Sequence, residues 1–293
     1  MRALVIGASG QVGAAIVDRL IARGHTVVGT HNRVAQPRTR ALDLTDTIAA
    51  EQLIAETEPD WVLCPAGLTH VDYCEDHPEQ AMAVNRDAPA AAAQAAAKRR
   101  AGFVFFSTEY VFDGAGGPYA EDDPISPLSV YGLSKLQGER HVQAENKRAA
   151  IIRTTVVYGV EPQGKNFVYQ VLRRIRSGEP VHVPNDQIST PTYNLDLAAA
   201  TVELIERDVY GVTHLAGPEL LDRYAFALEV CAVFGLDPSF VKPVDTPTLA
   251  PRARRPLRAG LATDRAHSLL ETRLRGPRAA LADMRTALER ASG

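Results

Sequence analysis

The sequence predicts an α/β protein with a doubly wound parallel sheet and a smaller C-terminal lobe. Short apolar runs alternate with helical patterns from Ala3 to Thr154, and a glycine-rich turn joins the first run to the first helix. From Val156 onward this alternation loosens, and 293 residues are long for one core but short for two independent domains. We therefore expect residues 1–155 to form the sheet domain, with 187–206 returning to it. Residues 156–186 and 207–293 should form the lobe.

Six apolar runs are expected to be strands of the sheet, because each is short and continuous, as in parallel strands buried on both faces. They are Ala3–Ile6, Thr26–Gly29, a run ending in Leu42–Asp46, Trp61–Cys64, Phe103–Phe106 and Ala150–Thr154. Helical patterns fill the intervals, of which the longest runs from His77 to Arg100. In the second half we expect helices from Gly164 to Ser177, Leu195 to Glu206, Arg223 to Phe234 and from about Pro277, with strands Pro180–Val183 and Gly211–Leu215.

The glycine turn after the first strand has the spacing GxxGxxG, with Gly7, Gly10 and Gly13. Unpaired N–H groups at a helix start attract a pyrophosphate, and glycines let it approach the backbone closely. This context predicts a Rossmann-type dinucleotide site. The expected cofactor contacts are Gly7, Ser9, Gly10, Gln11 and Val12, with Pro65, Ala66 and Gly67 in the small-residue turn after the fourth strand.

The end of the second strand favours NADP(H) over NAD(H). An Asp or Glu there would bind both ribose hydroxyls and repel a 2′-phosphate, but the segment reads Thr30 to Arg33 without an acid. Arg33, together with His31 or Asn32, is placed to meet a phosphate, which a guanidinium suits by its fork of donors. Asp43, followed by Leu44, could accept a hydrogen bond from the adenine amino group.

Tyr131 and Lys135 lie four residues apart and so fall on one face of a helix. A free tyrosine has a pKa near 10, and a lysine one turn away should lower it towards neutral pH. Thr108 ends the fifth strand, at the sheet edge where parallel sheets bind their ligands. These three residues predict proton and hydride transfer at a carbonyl. Tyr131 and Lys135 are also expected cofactor contacts, since Lys135 can hold the nicotinamide ribose. Asn85, a polar residue on an apolar helical face, is either a satisfied core amide or a support for the backbone below the site.

Composition and charge restrict the other classes of function and partner. The net charge is −3 with acids and bases interspersed, so we expect no nucleic-acid partner. The sequence contains no apolar run of membrane-spanning length and no signal-peptide pattern, so we expect no membrane partner and a cytoplasmic protein. Three scattered cysteines predict buried free thiols and no metal site. The basic cluster Arg252–Arg255 is either a solvated loop or a contact for a diphosphate.

Taken together, these motifs resemble the extended short-chain dehydrogenases/reductases and, within them, the dTDP-4-dehydrorhamnose reductases. The chain is also similar to the regulatory β-subunit of methionine adenosyltransferase. The resemblance spans nearly the whole chain and rests on GASGQVG, STEYVFDG, PYAEDDPISPLSVYGLSKLQGE, RTTVVYG, GKNFV, DQISTPTYNLDLA and the late Arg-Arg-Pro. It implies Thr108, Tyr131 and Lys135 as the catalytic trio and a nucleotide-linked 4-keto sugar as substrate. Expected substrate contacts are Glu109, Tyr110, Val111, Asn166, Gln187, Thr192 and Arg255.

Two departures from the family pattern bear on the substrate. Glu109 stands where these reductases carry Asp, and Val156 where they tend to carry a Trp that packs on the sugar. The sugar is therefore expected to differ from the rhamnose precursor. A sugar dehydratase is disfavoured, because it needs an acid pair after Thr108 and this chain has Glu109-Tyr110. The alternatives kept open are a non-catalytic NADP-binding regulatory subunit and a nucleotide-sugar 4-epimerase, and we also keep a homodimer open.

Overall fold

The computed structural model describes residues 1–37, 39–161 and 163–292. Its strands are β1 (Arg2–Val5), β2 (Thr26–His31), β3 (Thr39–Ala41), β4 (Trp61–Cys64), β5 (Gly102–Thr108), β6 (Ala149–Thr154), β7 (Val157–Tyr158), β8 (Val181–Pro184), β9 (Ile188–Ser189), β10 (Thr192–Tyr193), β11 (Gly211–His214), β12 (Leu221–Asp222) and β13 (Val241–Val244). Its α-helices are α1 (Gln11–Ala22), α2 (Thr47–Thr57), α3 (Val71–Asp76), α4 (Pro78–Met82), α5 (Ala88–Lys98), α6 (Val130–Glu145), α7 (Phe167–Arg176), α8 (Asn194–Glu206), α9 (Arg223–Phe234), α10 (Asp264–Leu269) and α11 (Pro277–Ser292).

Seven strands form one parallel sheet in the order β11-β6-β5-β4-β1-β2-β3. The order reverses at β1, as in a doubly wound sheet, so the predicted Rossmann-type fold is confirmed. Helices α1 and α8 pack together on one face, and α2, α5 and α6 on the other. The central strands β4 and β5 are buried along their whole length, which explains their continuous apolar runs. Their carboxyl ends, after Cys64 and Thr108, meet at one edge.

The boundary expected at residue 207 is corrected by β11. Gly211–His214 pairs in parallel with Ala150–Arg153 of β6 and forms an edge of the large sheet. Helix α8 packs against α1, and the chain after it re-enters the sheet beside β6. A short strand that follows a helix can return to the same sheet as readily as start a new lobe. The sequence of β11 alone therefore does not show whether this strand belongs to the large sheet or to the smaller lobe.

The helix expected from His77 to Arg100 is also interrupted. It consists of α4, a π-helical turn over Ala83–Asp87, and α5. Pro89 lacks the N–H that would bond the carbonyl of Asn85 four residues earlier, and a π-turn is one way to accommodate that loss. The turn matters for function because Asn85 lies in it.

The smaller lobe has its own apolar core, built mainly from α7, α9, α11, β8 and β13. Strands β8 and β13 pair in parallel, and α9 packs on both. Cys64, Cys74 and Cys231 are buried free thiols, as predicted. Among the described residues, no helix combines the length and apolar character that a membrane crossing requires.

Candidate active site

Thr108, Tyr131 and Lys135 lie together at the carboxyl edge of the sheet. Thr108 is the last residue of β5, while Tyr131 and Lys135 belong to α6, whose start is capped by the Ser129 hydroxyl accepting from the N–H of Gly132 at 3.2 Å. The Thr108 hydroxyl accepts from the N–H of Tyr110 at 3.2 Å and acts on the pKa of Tyr131. All three side chains are buried, with 8 % or less of each residue exposed. The structure thus brings the predicted trio together.

Gly132 explains how closely α6 approaches the trio. A Cβ built at Gly132 would lie 2.2 Å from the carbonyl oxygen of Tyr110, so only glycine permits this contact. Tyr110 in turn packs edge-on against Tyr131, with ring centroids 5.5 Å apart. The first turn of α6 therefore packs directly against the 3₁₀ turn Glu109–Val111 that follows β5.

The expected lowering of the Tyr131 pKa is wrong in direction. Burial raises the pKa of Tyr131, and the nearby Tyr110, Cys74 and Glu109 act in the same sense, while the hydrogen bond with Thr108 opposes them. The ammonium of Lys135 lies over the ring of Phe105, 4.1 Å from its centroid. A phenol with a raised pKa stays protonated at neutral pH and can donate its proton.

Lys135 is a buried cation at the same edge. Burial lowers the pKa of Lys135 to about 8, and the nearby Cys64, Glu139 and Cys74 oppose this shift. A Cβ built at Gly67 would lie 3.7 Å from its Nζ, so the turn after β4 reaches the lysine. Lys135 therefore lies one helical turn from the predicted proton donor and beside the turn that holds the predicted cofactor contacts Pro65, Ala66 and Gly67.

Asn85 holds the backbone next to this turn. Its Oδ1 accepts from the N–H of Leu68 at 2.9 Å, and its Nδ2 donates to the Leu68 carbonyl at 2.9 Å and to the Ser134 hydroxyl at 3.0 Å. Ser134 donates to the carbonyl of Tyr131 at 2.8 Å. Both interpretations of Asn85 hold in the structure: it is a buried, satisfied amide, and it joins the turn after β4 to the helix of the trio.

The glycine turn fits a pyrophosphate. Gly7 has φ +95°, and its N–H donates to the Thr30 hydroxyl at 3.1 Å, while a Cβ at Gly13 would lie 2.2 Å from the Gly7 carbonyl oxygen. Gly10 precedes α1 and offers no side chain to cap it, so the N–H groups of the first turn face the groove. Among the described residues the side-chain amide nitrogen of Gln11, Nε2, is buried without a hydrogen-bond partner. Ser9 is buried in the same turn and Val12 packs against the core, so the side chain of Val12 points away from the groove.

Asn32, Arg33 and Asp43 meet beyond the end of β2. The Thr45 hydroxyl and N–H hold Asp43 at 2.7 and 2.9 Å and lower its pKa, and Asn32 and Arg33 act on it in the same direction. Asn32 and Arg33 are exposed, which leaves them free to meet a phosphate. Leu44 packs in the sheet core, so its side chain is structural.

Glu109 and Tyr110 lie between the trio and the smaller lobe. Burial raises the pKa of Glu109 to about 8, and Thr155 and the charge of Arg223 oppose the shift. Among the described residues, its Oε2 has no hydrogen-bond partner. Burial also raises the pKa of Tyr110, and Arg223 and Arg255 oppose that change. A buried carboxyl and two guanidinium groups therefore surround the approach to Tyr131.

Sequence reasoning missed Arg223. It opens α9 in the smaller lobe, and its guanidinium lies over the ring of Phe167, 5.5 Å from the centroid. The backbone N–H of Arg223 donates to the Gln187 carbonyl at 3.1 Å. The available signal was an arginine directly after Asp222, a good N-cap residue, but nothing in the sequence shows that this helix start faces Glu109.

The other predicted substrate contacts divide into two groups. Arg255 reaches Tyr110 and pairs with Asp72 at 2.8 Å, beside a cavity of about 500 Å³ between residues 113–128 and 246–257. The remaining side chains have structural contacts: Asn166 caps α7, Gln187 donates to the Thr246 hydroxyl at 2.8 Å, and Thr192 and Val111 are fully buried.

The side chains of Thr192 and Val111, two of the predicted substrate contacts, make contacts inside the protein. The Thr192 hydroxyl donates to the Thr190 carbonyl and accepts from the N–H of Gly217, while Val111 packs with Phe112 and Leu136. Val156, at the position expected to carry Trp, has φ +42°, which is strained for a β-branched residue. Its carbonyl accepts from the N–H of Thr192.

Comparison with known proteins places the chain among related sequences. Residues 1–290 match the RmlD substrate binding domain family. The chain is 34 % identical to dTDP-4-dehydrorhamnose reductase of Mycolicibacterium smegmatis over 286 residues, covering 96 % of this chain and 84 % of the relative. It is 31 % identical to methionine adenosyltransferase 2 subunit beta of Bos taurus over 276 residues, covering 92 % and 82 % of the two chains.

The fold agrees with that of a solved reductase. The structure of dTDP-4-dehydrorhamnose reductase from Bacillus anthracis, in complex with NADP, superposes with a TM-score of 0.89 at 26 % identity, covering 98 % of this chain and 99 % of the other. The same glycine turn, parallel sheet and Thr-Tyr-Lys site are expected of an extended short-chain dehydrogenase/reductase. The chain therefore belongs to the RmlD family, to which the dTDP-4-dehydrorhamnose reductases belong.

Proposed function

We propose that this protein is an NADPH-dependent reductase of a nucleotide-activated 4-keto-deoxysugar. The observation that carries the proposal is the joint burial of Thr108, Tyr131 and Lys135 at the carboxyl edge of the sheet, with the Lys135 ammonium beside the turn after β4. The glycine turn fits the pyrophosphate of a dinucleotide, and a relative of the same fold is in complex with NADP. We assign cofactor binding to the large-sheet domain and sugar binding mainly to the smaller lobe.

The residues of the trio have distinct roles in this proposal. When bound, NADPH supplies the hydride. Tyr131 donates its phenolic proton to the substrate oxygen, and its raised pKa keeps that proton in place until the oxygen becomes basic. Thr108 hydrogen-bonds the same oxygen and polarises the carbonyl. Lys135 holds the nicotinamide ribose and stabilises the phenolate that forms on Tyr131.

The cofactor choice can be tested at Arg33. Arg33→Ala should raise the KM for NADPH by about 10–100-fold, because it removes a charge-assisted contact worth roughly 1.5–3 kcal/mol, and should change the KM for NADH much less. Steady-state kinetics with both cofactors would measure the ratio. Arg140→Ala, at an exposed position on α6, is the control. An equal rise for the two cofactors would contradict the role of Arg33.

The reductase activity is tested by following NADPH oxidation with a panel of nucleotide-linked 4-keto sugars. Lys135→Met should lower turnover on the order of 10²-fold, since both the ribose contact and the phenolate stabilisation are lost. Lys147→Met, in the turn after α6, should leave turnover near that of the wild type. Equal losses in the two variants would contradict the assignment of Lys135.

The similarity to methionine adenosyltransferase 2 subunit beta favours one second candidate function. In that case the protein binds NADP without turnover and docks on a larger enzyme. All three residues of the trio are present and buried at one edge of the sheet, which supports an enzyme more strongly. Absence of turnover with every sugar of the panel, together with tight NADP binding and co-purification of a partner, would favour the regulatory function. A 4-epimerase would instead recycle a bound cofactor without net NADPH oxidation.

A further inference from the structure

Glu139 lies one helical turn beyond Lys135 on the buried face of α6. An acid and a lysine at this spacing commonly form an ion pair. Among the described residues, however, no ion pair joins Lys135 to Glu139, although the charge of Glu139 acts on Lys135. The helix therefore carries a carboxylate within reach of the site lysine that is directed elsewhere.

Arg153 of β6 is the partner that Glu139 takes instead. Its Nε donates to Oε1 at 2.9 Å and its Nη2 to Oε2 at 2.8 Å, which is a bidentate pair. Both side chains are almost fully buried, at 2 % and 3 % exposure. Removing one member would leave an unpaired buried charge, so each holds the other in place.

The rest of the Arg153 guanidinium is fixed by three more elements. Its Nη1 donates to the Glu121 carbonyl at 3.2 Å and lies 3.5 Å from Nε2 of His214, while the ring of Phe112 lies 5.2 Å from the guanidinium carbon. His214 Nδ1 faces the Ala262 carbonyl at 3.1 Å and must carry the proton, which leaves Nε2 as an acceptor. Burial and the charge of Arg153 lower the pKa of His214 to about 3, so this arrangement holds at neutral pH.

We propose that Arg153 is a positioning residue that binds the carboxylate of Glu139 and thereby keeps it from pairing with Lys135. In the proposed reductase, Lys135 is then available to the phenolate of Tyr131 and to the cofactor ribose. The inference rests on the proposed reductase function for its catalytic meaning, but the placement of charges is a property of the protein itself. Besides Glu139, the titratable groups that act on Lys135 are Cys64 of β4 and Cys74 of α3.

The test is a direct titration of Lys135 by NMR of protein labelled with ¹³C-lysine. The chain has five lysines, so Lys135→Met assigns the signal. Arg153→Met should move the midpoint of Lys135 up by about one pH unit, since a freed carboxylate then faces the ammonium. Glu139→Gln should move it down, because the unpaired guanidinium remains. The double variant should return it towards the wild-type value.

The control is Arg275→Met, which breaks the ion pair of Arg275 with Asp196 in the smaller lobe and should not move the Lys135 midpoint. An unchanged midpoint in Arg153→Met and Glu139→Gln would overturn the proposal, because a purely structural ion pair would lower stability only. If Arg153→Met does not fold, Glu139→Gln and the double variant still test the proposal, since the Lys135 midpoint must be lower in Glu139→Gln than in the double variant. The titration needs no substrate, so a failure of the reductase proposal would show separately as an absence of NADPH turnover.

Discussion

Tyr131→Phe should lower kcat for carbonyl reduction by about 10²–10⁴-fold and leave the affinity for NADPH nearly unchanged. The substitution removes only the phenolic hydroxyl and keeps the ring that packs edge-on against Tyr110, with ring centroids 5.5 Å apart. The loss should therefore fall on proton transfer, with the fold and the cofactor groove intact. Single-turnover NADPH oxidation and titration of NADPH fluorescence would measure the two quantities separately.

Tyr169→Phe is the matched control for this experiment. Tyr169 belongs to α7 in the smaller lobe and borders a separate cavity there, so losing its hydroxyl should change neither quantity. A Tyr131→Phe protein that retains most of its turnover would show that another group donates the proton. Glu109 would then be the candidate to examine, because it is a buried carboxyl that acts electrostatically on Tyr131.

The sheet domain and the trio were predictable because their signals are local. A continuous apolar run followed by GxxGxxG and a helix determines a strand, a phosphate turn and a helix start, and the structure has them at Arg2–Val5, Gly7–Gly13 and Gln11–Ala22. Tyr131 and Lys135 share a helix face through their spacing alone. Thr108 follows from the rule that ligands bind at the carboxyl ends of parallel strands.

Long-range features were not predictable from the sequence. The direction of the Tyr131 pKa depends on burial by residues from several elements, and a spacing rule contains no information about burial. Arg223 acts on Glu109 only because the smaller lobe brings the start of α9 to the sheet edge, and Thr192 is buried by contacts with residues distant in the sequence such as Gly217. The ion pair of Glu139 and Arg153 joins α6 to β6. The sequence predicts β6 as a strand of the sheet but does not predict which side chains of other elements lie against it.

The buried carboxyl of Glu109 should make the stability of the cofactor-free protein fall as pH rises. Its ordinary pKa is 4.5, and in the folded protein it is about 8. Below the lower value both the folded and the unfolded chain carry the proton. Between the two values the unfolded chain loses the proton that the folded chain keeps. The contribution of Glu109 to the free energy of unfolding therefore decreases as pH rises, and above about pH 8 it is lost.

Glu109→Gln removes this dependence, since an amide does not titrate. The free energy of unfolding of the variant, relative to the wild type, should increase by up to about 1.4 kcal/mol per pH unit between the two pKa values and then level off. Urea unfolding at several pH values from about 5 to about 9 would measure it. Glu179→Gln, at a side chain that is 62 % exposed, is the control and should give a difference from the wild type that stays constant with pH. If Glu109→Gln also gave a constant difference, the carboxyl of Glu109 would be ionised in the folded protein at neutral pH. An ionised carboxylate could only accept a hydrogen bond from the substrate, whereas a protonated carboxyl could donate one to it.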